Sequence, residues 1–111
     1  MEPEKELAAI KDETQELEKR LKAMESTGEG SEMRKILDKE YRLNSAISPI
    51  DATNPNRSVE YNDWLNALKD SKRAVQEQKH NLERRIEATK AEILKLGGMQ
   101  YTLEERIRRG N

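Results

Sequence analysis

The sequence lacks cysteine and phenylalanine, has a single tryptophan, and has aromatic residues at only 4% of its positions. Without cysteine there can be no disulfide framework and no thiolate metal site. The same absence fits a reducing compartment, so we expect the cytoplasm or the nucleus. No run of about 18 apolar residues occurs, so the sequence predicts no membrane span.

Charged residues make up 39% of the 111-residue chain, and hydrophobic residues only 33%. A compact globule of this length normally contains more apolar volume. High charge together with helical periodicity is typical of coiled coils and long helices. The formal net charge of −1 argues against nucleic acid as a partner, because non-specific nucleic-acid binders carry a clear basic excess. We therefore expect a single coiled-coil module over residues 1–111.

A regular 3-4 spacing predicts the first helix, over residues 3–26. Its seam consists of Leu7, Ile10, Thr14, Leu17, Leu21 and Met24. Gly28 and Gly30 break the phase of this pattern, since two helical glycines cost roughly 2 kcal/mol relative to alanine. A second helix is predicted over residues 31–47, with Ser31 as its N-cap. The chain either turns back at the glycines or continues with a kink, and the sequence leaves both arrangements open.

Prolines predict a hairpin loop over residues 48–57, because Pro49 and Pro55 disfavour helical geometry in the residues that precede them. A long third helix is predicted over 58–96, capped by Ser58 and ended by Gly97–Gly98. Thr102, with Glu105, resembles a capping box for a short C-terminal helix over 102–109.

The seam of the long helix is irregular in the sequence. Its first register comprises Leu68, Ser71, Val75, Gln78 and Leu82. From Leu82 a shifted register continues through Ile86, Thr89, Ile93 and Leu96. The junction of the two registers predicts a stutter, which locally unwinds a supercoil.

These patterns together predict an all-α fold, an antiparallel helical hairpin or coiled coil with a long third helix. A three-helix arrangement is the alternative. Apolar stripes this narrow are buried only against other helices, which makes them candidate contacts for an oligomer or a partner helix. The candidate seam residues are Leu7, Ile10, Leu17, Leu21, Leu68, Val75, Leu82, Ile86 and Ile93. Tyr61, Trp64 and Leu65 are candidate contacts at the hairpin tip, where aromatic residues form binding hot spots.

No residue pattern predicts catalysis, a cofactor site or a metal site. His80 is the only histidine, so no catalytic triad can be built around it and a partner base. Lys69, Arg73, His80 and Arg84 share roughly one helix face, but acidic neighbours balance their charge. We expect a solvated face there, although a phosphate-binding stripe is the functional alternative.

The expected function is therefore that of a non-enzymatic coiled-coil interaction module, which oligomerises and scaffolds a larger protein assembly. The first alternative is a helical-hairpin recognition module for a regulatory protein partner. In outline such a hairpin is similar to the helical hairpins of Rho effectors, which implies a small GTPase as partner, and to N-terminal hairpins of some viral nucleoproteins. That likeness is architectural and rests on no shared motif. A weaker alternative is a nucleic-acid or filament binder.

Overall fold

The described part of the chain is all-α, as predicted, and contains three helices. The structure is a computed structural model that describes the backbone of residues 2–53 and 59–110, and the side chains of 2–47 and 59–110. Helix α1 comprises Pro3–Glu25, α2 comprises Glu32–Thr53, and α3 comprises Val59–Arg108. No strand occurs within these described ranges.

Helix α1 begins where the sequence predicts and ends one residue earlier. Proline at the first helical position has a favourable fixed φ and lacks only an N–H that would have no partner there. The carbonyl oxygen of Glu2 accepts hydrogen bonds from the N–H groups of Lys5, at 3.0 Å, and Glu6, at 3.1 Å. Glu4 and Glu6 place negative charge at the positive end of the helix dipole.

The predicted break at the glycines is confirmed, because residues 26–31 are not helical. Gly30 has a φ of +82°, a conformation that costs L-residues with a side chain roughly 1–2 kcal/mol. Ser31 caps α2 as predicted, since its Oγ accepts a hydrogen bond from the N–H of Arg34 at 3.1 Å. The guanidinium of Arg34 also donates to the carbonyl oxygen of Thr27, at 2.8 Å, which ties the break to the first turn of α2.

The predicted end of the second helix at residue 47 is wrong. Helix α2 continues through Pro49 to Thr53, so most of the predicted loop over 48–57 is helical. The preference of a pre-proline residue for extended geometry is a tendency, and proline-containing helices are its known exception. Pro55 and the predicted cap Ser58 lie outside the described residues.

The predicted end of the third helix at residue 96 is also wrong, because α3 runs through Gly97–Gly98 to Arg108. The separate helix over 102–109 is part of α3, and Thr102 does not cap it. The Thr102 hydroxyl instead donates back to the carbonyl oxygen of Gly98, at 3.0 Å. Leu96 and Leu103 are both buried, and helical geometry between them keeps these two side chains, two turns apart, on one face.

The glycine that ends α3 is Gly110. Its φ is +76°, and its N–H donates to the carbonyl oxygen of Ile107 at 3.0 Å. A left-handed glycine just after the last turn is the usual helix C-terminus. The sequence therefore does contain a glycine signal for the end of α3, but at Gly110 and not at the predicted Gly97–Gly98.

The chain forms two compact units, each built on one part of α3. Unit 1 consists of Met1–Glu25 and Arg84–Asn111, so α1 packs against the second part of α3. Unit 2 consists of Ser26–Glu83, so α2 packs against the first part of α3. The prediction of one module over residues 1–111 stays a prediction.

Two glycine substitutions test these backbone assignments. Gly97→Ala should raise the free energy of unfolding by about 0.5–1 kcal/mol, since alanine is the better helix former and nothing lies within 4 Å of the new Cβ. Gly30→Ala should lower it by about 1–2 kcal/mol, because of the positive φ. Urea unfolding followed by circular dichroism measures both. A loss of stability in Gly97→Ala would instead support a helix that ends at Leu96.

Candidate functional site

The seam of unit 1 joins α1 to the second part of α3 in antiparallel orientation. Near the start of α1, Ile10 is buried in a cluster with Leu96 and Leu103. At the other end of α1, Glu25 Oε2 lies 3.4 Å from Lys90 Nζ. The chain directions are therefore opposite, and the apolar stripe of α1 is the face that contacts α3.

The seam of unit 2 joins α2 to the first part of α3. Its buried side chains are Ile36, Ile47, Leu65, Val75 and Leu82. Leu82 has no exposed surface, which makes it the most deeply buried side chain among the described residues. Truncating such a leucine typically costs about 2–5 kcal/mol.

The buried and half-buried positions of α3 follow one uninterrupted 4-3 spacing from its first turns to its last. They are Tyr61, Leu65, Leu68, Lys72, Val75, Lys79, Leu82, Ile86, Thr89, Ile93, Leu96, Gln100, Leu103 and Ile107. Lys69, Glu92 and Glu105, which flank this stripe, are also half-buried. The predicted stutter is wrong, because Ser71 and Gln78 are exposed. The seam instead passes through Lys72 and Lys79.

Lys79 can occupy a seam position because its charge is paired. Its Nζ lies 3.6 Å from Oε1 of Glu40, which belongs to the seam face of α2, and both side chains are half-buried. A lysine buries its aliphatic stem along apolar surface and keeps its ammonium near water. A paired polar position within a coiled-coil seam fixes register at some cost in stability.

The structure places all nine predicted seam residues on inward-facing stripes. Ile10, Val75, Leu82 and Ile86 are buried. Leu7, Leu17, Leu21, Leu68 and Ile93 are half-buried. Their burial lies within one chain, so their contact with an oligomer or partner stays a prediction.

Five buried residues are missing from the nine predicted seam residues, namely Ile36, Ile47, Leu65, Leu96 and Leu103. The first two follow the 3-4 spacing of α2 and could have been found from that spacing. Leu65 is predicted as a tip contact, and Leu96 is the last position of the second predicted register. Leu103 lies beyond Gly97–Gly98, and the helix end predicted there concealed the face that it shares with Leu96.

At the predicted tip, Leu65 belongs to the seam and the two aromatic residues lie at its edge. The rings of Tyr61 and Trp64 form an edge-to-face pair, with centroids 5.9 Å apart and an interplanar angle of 61°. Leu65 is buried, whereas Trp64 is 50% exposed and Val59 is more exposed still.

An open groove lies between α1 and the second part of α3, with a volume of about 650 Å³. Its lining is mostly apolar and includes Ala9, Met99 and Leu103, with Gly98 among them. The charged residues that line it are Glu6, from α1, and Lys95, from α3. This groove is a second candidate interaction site, which the sequence did not predict.

The candidate basic stripe on α3 carries local acidic partners. Arg73 Nη1 lies 3.4 Å from Asp70 Oδ1, and both side chains are largely exposed. The exposed imidazole of His80 lies 3.7 Å from Glu83 Oε2. Exposed pairs of this kind contribute at most about 1 kcal/mol, as expected of a solvated, charge-balanced face.

Within residues 2–53 and 59–110, no group of three or more histidine, aspartate or glutamate side chains is placed to hold a metal ion. None of the helices, over the same ranges, is long and apolar enough to cross a membrane. No protein family, curated protein or solved structure matches the chain. The candidate sites therefore remain the seam, the tip aromatics and the groove.

Alanine substitutions at two adjacent positions test the register of α3. Lys79→Ala should lower the free energy of unfolding by about 1 kcal/mol, since it removes a half-buried stem and leaves Glu40 unpaired. Gln78→Ala should change it by less than about 0.5 kcal/mol, because Gln78 is exposed. Chemical unfolding of both variants measures the difference. A larger loss of stability in Gln78→Ala than in Lys79→Ala would instead support the predicted register that contains the stutter.

Proposed function

We propose that this chain is a non-enzymatic coiled-coil interaction module that self-associates and scaffolds a larger protein assembly. The supporting observation is apolar surface that remains uncovered after both seams have formed. Leu94 and Tyr101 lie two turns apart on one face of α3 and are both exposed, Leu94 by 80%. Met99, on another face of the helix, is exposed as well. Clustered exposed apolar side chains mark protein contacts more often than isolated ones do.

The limited core of the chain supports the same proposal. The described residues bury nine hydrophobic side chains, and no large aromatic residue is among them. Two-helix units expose the outer flank of each helix, and a coiled coil gains stability when further helices cover those flanks. Association with helices of another chain would bury such surface without changing the seams.

The first alternative is a recognition module that binds a regulatory protein partner through its tip. The half-exposed Trp64, stacked edge-to-face on Tyr61, favours this alternative. Tryptophan and tyrosine are the residues most enriched in binding hot spots. Binding of nucleic acid or of a filament is the weakest candidate, because the basic stripe carries acidic partners.

Sedimentation equilibrium of the full chain, from low to high micromolar concentration, tests the proposed function. We expect a reversible monomer–oligomer equilibrium, together with a helical melting temperature that rises with protein concentration. A monomer with a concentration-independent melt would contradict self-association. Loss of a protein ligand on Trp64→Ala in such a monomer would support tip recognition instead.

A further inference from the structure

The groove of unit 1 lies where two helices leave room for a third. It is bounded by Ala9 and Ile10 of α1 and by Gly98, Met99 and Leu103 of α3. Its volume of about 650 Å³ exceeds by many times the roughly 30 Å³ that one water occupies in the liquid. An open trough with an apolar lining suits a helix that lies along it more than it suits a buried solute.

Gly98 allows close approach within this groove. A Cβ added at Gly98 would meet nothing within 4 Å, so packing within the chain does not require a glycine there. Glycine inside a helix costs about 1 kcal/mol relative to alanine. A glycine exposed to an apolar trough lets a neighbouring helix backbone come nearer than any other residue would.

The distribution of charge indicates what fills the groove. Residues 1–25 carry eight acidic and five basic side chains, whereas residues 84–111 carry four acidic and seven basic ones. The two sides of unit 1 therefore have opposite net charge, and the groove repeats this locally with Glu6 on one side and Lys95 on the other. A surface with both signs side by side is complementary to its own copy after a two-fold rotation. A partner of one charge sign would match only half of it.

We propose that the groove is the self-association site, and that its occupant is the same face of a second copy of this chain. This inference rests on the proposed self-association and gives it a location. In the dimer the acidic α1 of each chain lies against the basic second part of α3 of the other. Met99 of each chain enters the groove of its partner, so that four helices share one apolar core.

The adjacent glycines supply a matched pair of variants. Gly97 and Gly98 are both helical, and both have open space where a Cβ would stand, but only Gly98 lines the groove. Leucine at either position improves helix propensity equally. Gly98→Leu should weaken dimerisation by about tenfold to a hundredfold, as overpacking does. Gly97→Leu should leave the dimer dissociation constant within about threefold of wild type.

Charge reversal provides an independent test of the occupant. Lys95→Glu and Glu6→Lys should each weaken dimerisation by about threefold to tenfold at low salt, since like charges then face each other across the two-fold axis. The double variant that combines Lys95→Glu with Glu6→Lys should recover most of the lost affinity, because opposite charges again face each other across the two-fold axis. Circular dichroism of each variant checks that its helix content is preserved.

Sedimentation equilibrium of the full chain, for wild type and these variants, distinguishes the outcomes. Selective loss of association in Gly98→Leu, with rescue in the charge-reversed double variant, supports the groove as the site. A different result would be that Gly98→Leu associates as well as wild type, whereas the double variant with Leu94→Gln and Tyr101→Gln does not associate. The proposed site would then be wrong, and the proposed function would stand. If wild type is a monomer throughout, both proposals fail.

Discussion

The burial of one 4-3 stripe along α3 is the constraint on which the other features of the structure depend. Helices α1 and α2 each have a single narrow apolar stripe, and each buries it against a different part of α3. The stripe includes Leu82, which has no exposed surface. The apolar spacing of α1 does not continue in phase into α2, because the glycines interrupt it. The stripe of α3, which each of the two helices contacts, therefore determines which of their side chains become buried.

This constraint overrides local preferences at several positions. The glycines at 97 and 98 favour a helix end, but α3 continues through them and places Leu96 and Leu103 on one buried face. Lys79 is a charged residue at a seam position, and its ion pair with Glu40 satisfies the charge. In each case a cost of about 1–2 kcal/mol is set against burial of large side chains, each of which contributes about 1.5–3 kcal/mol.

Local signals in the sequence predicted the features that depend on only a few residues. The start of α1 at Pro3, the cap at Ser31 and the break around Gly30 follow from backbone geometry, and the structure confirms them. The ends of α2 and α3 depend on packing between distant segments, which single-residue preferences do not describe. The register was missed because apolar periodicity treats lysine as polar, although its stem is apolar. The groove was missed because it exists only once α1 lies on α3, and no spacing within one helix encodes it.

Cysteine accessibility tests the single uninterrupted register along α3 most directly, since the sequence has no cysteine. Single cysteines would be introduced one at a time along residues 64–107, and their alkylation rates measured under native conditions. A single register predicts slow alkylation that recurs with one unchanged 4-3 spacing, and rapid alkylation at position 78. Slow alkylation at positions 71 and 78, followed by a change of phase near position 82, would contradict it.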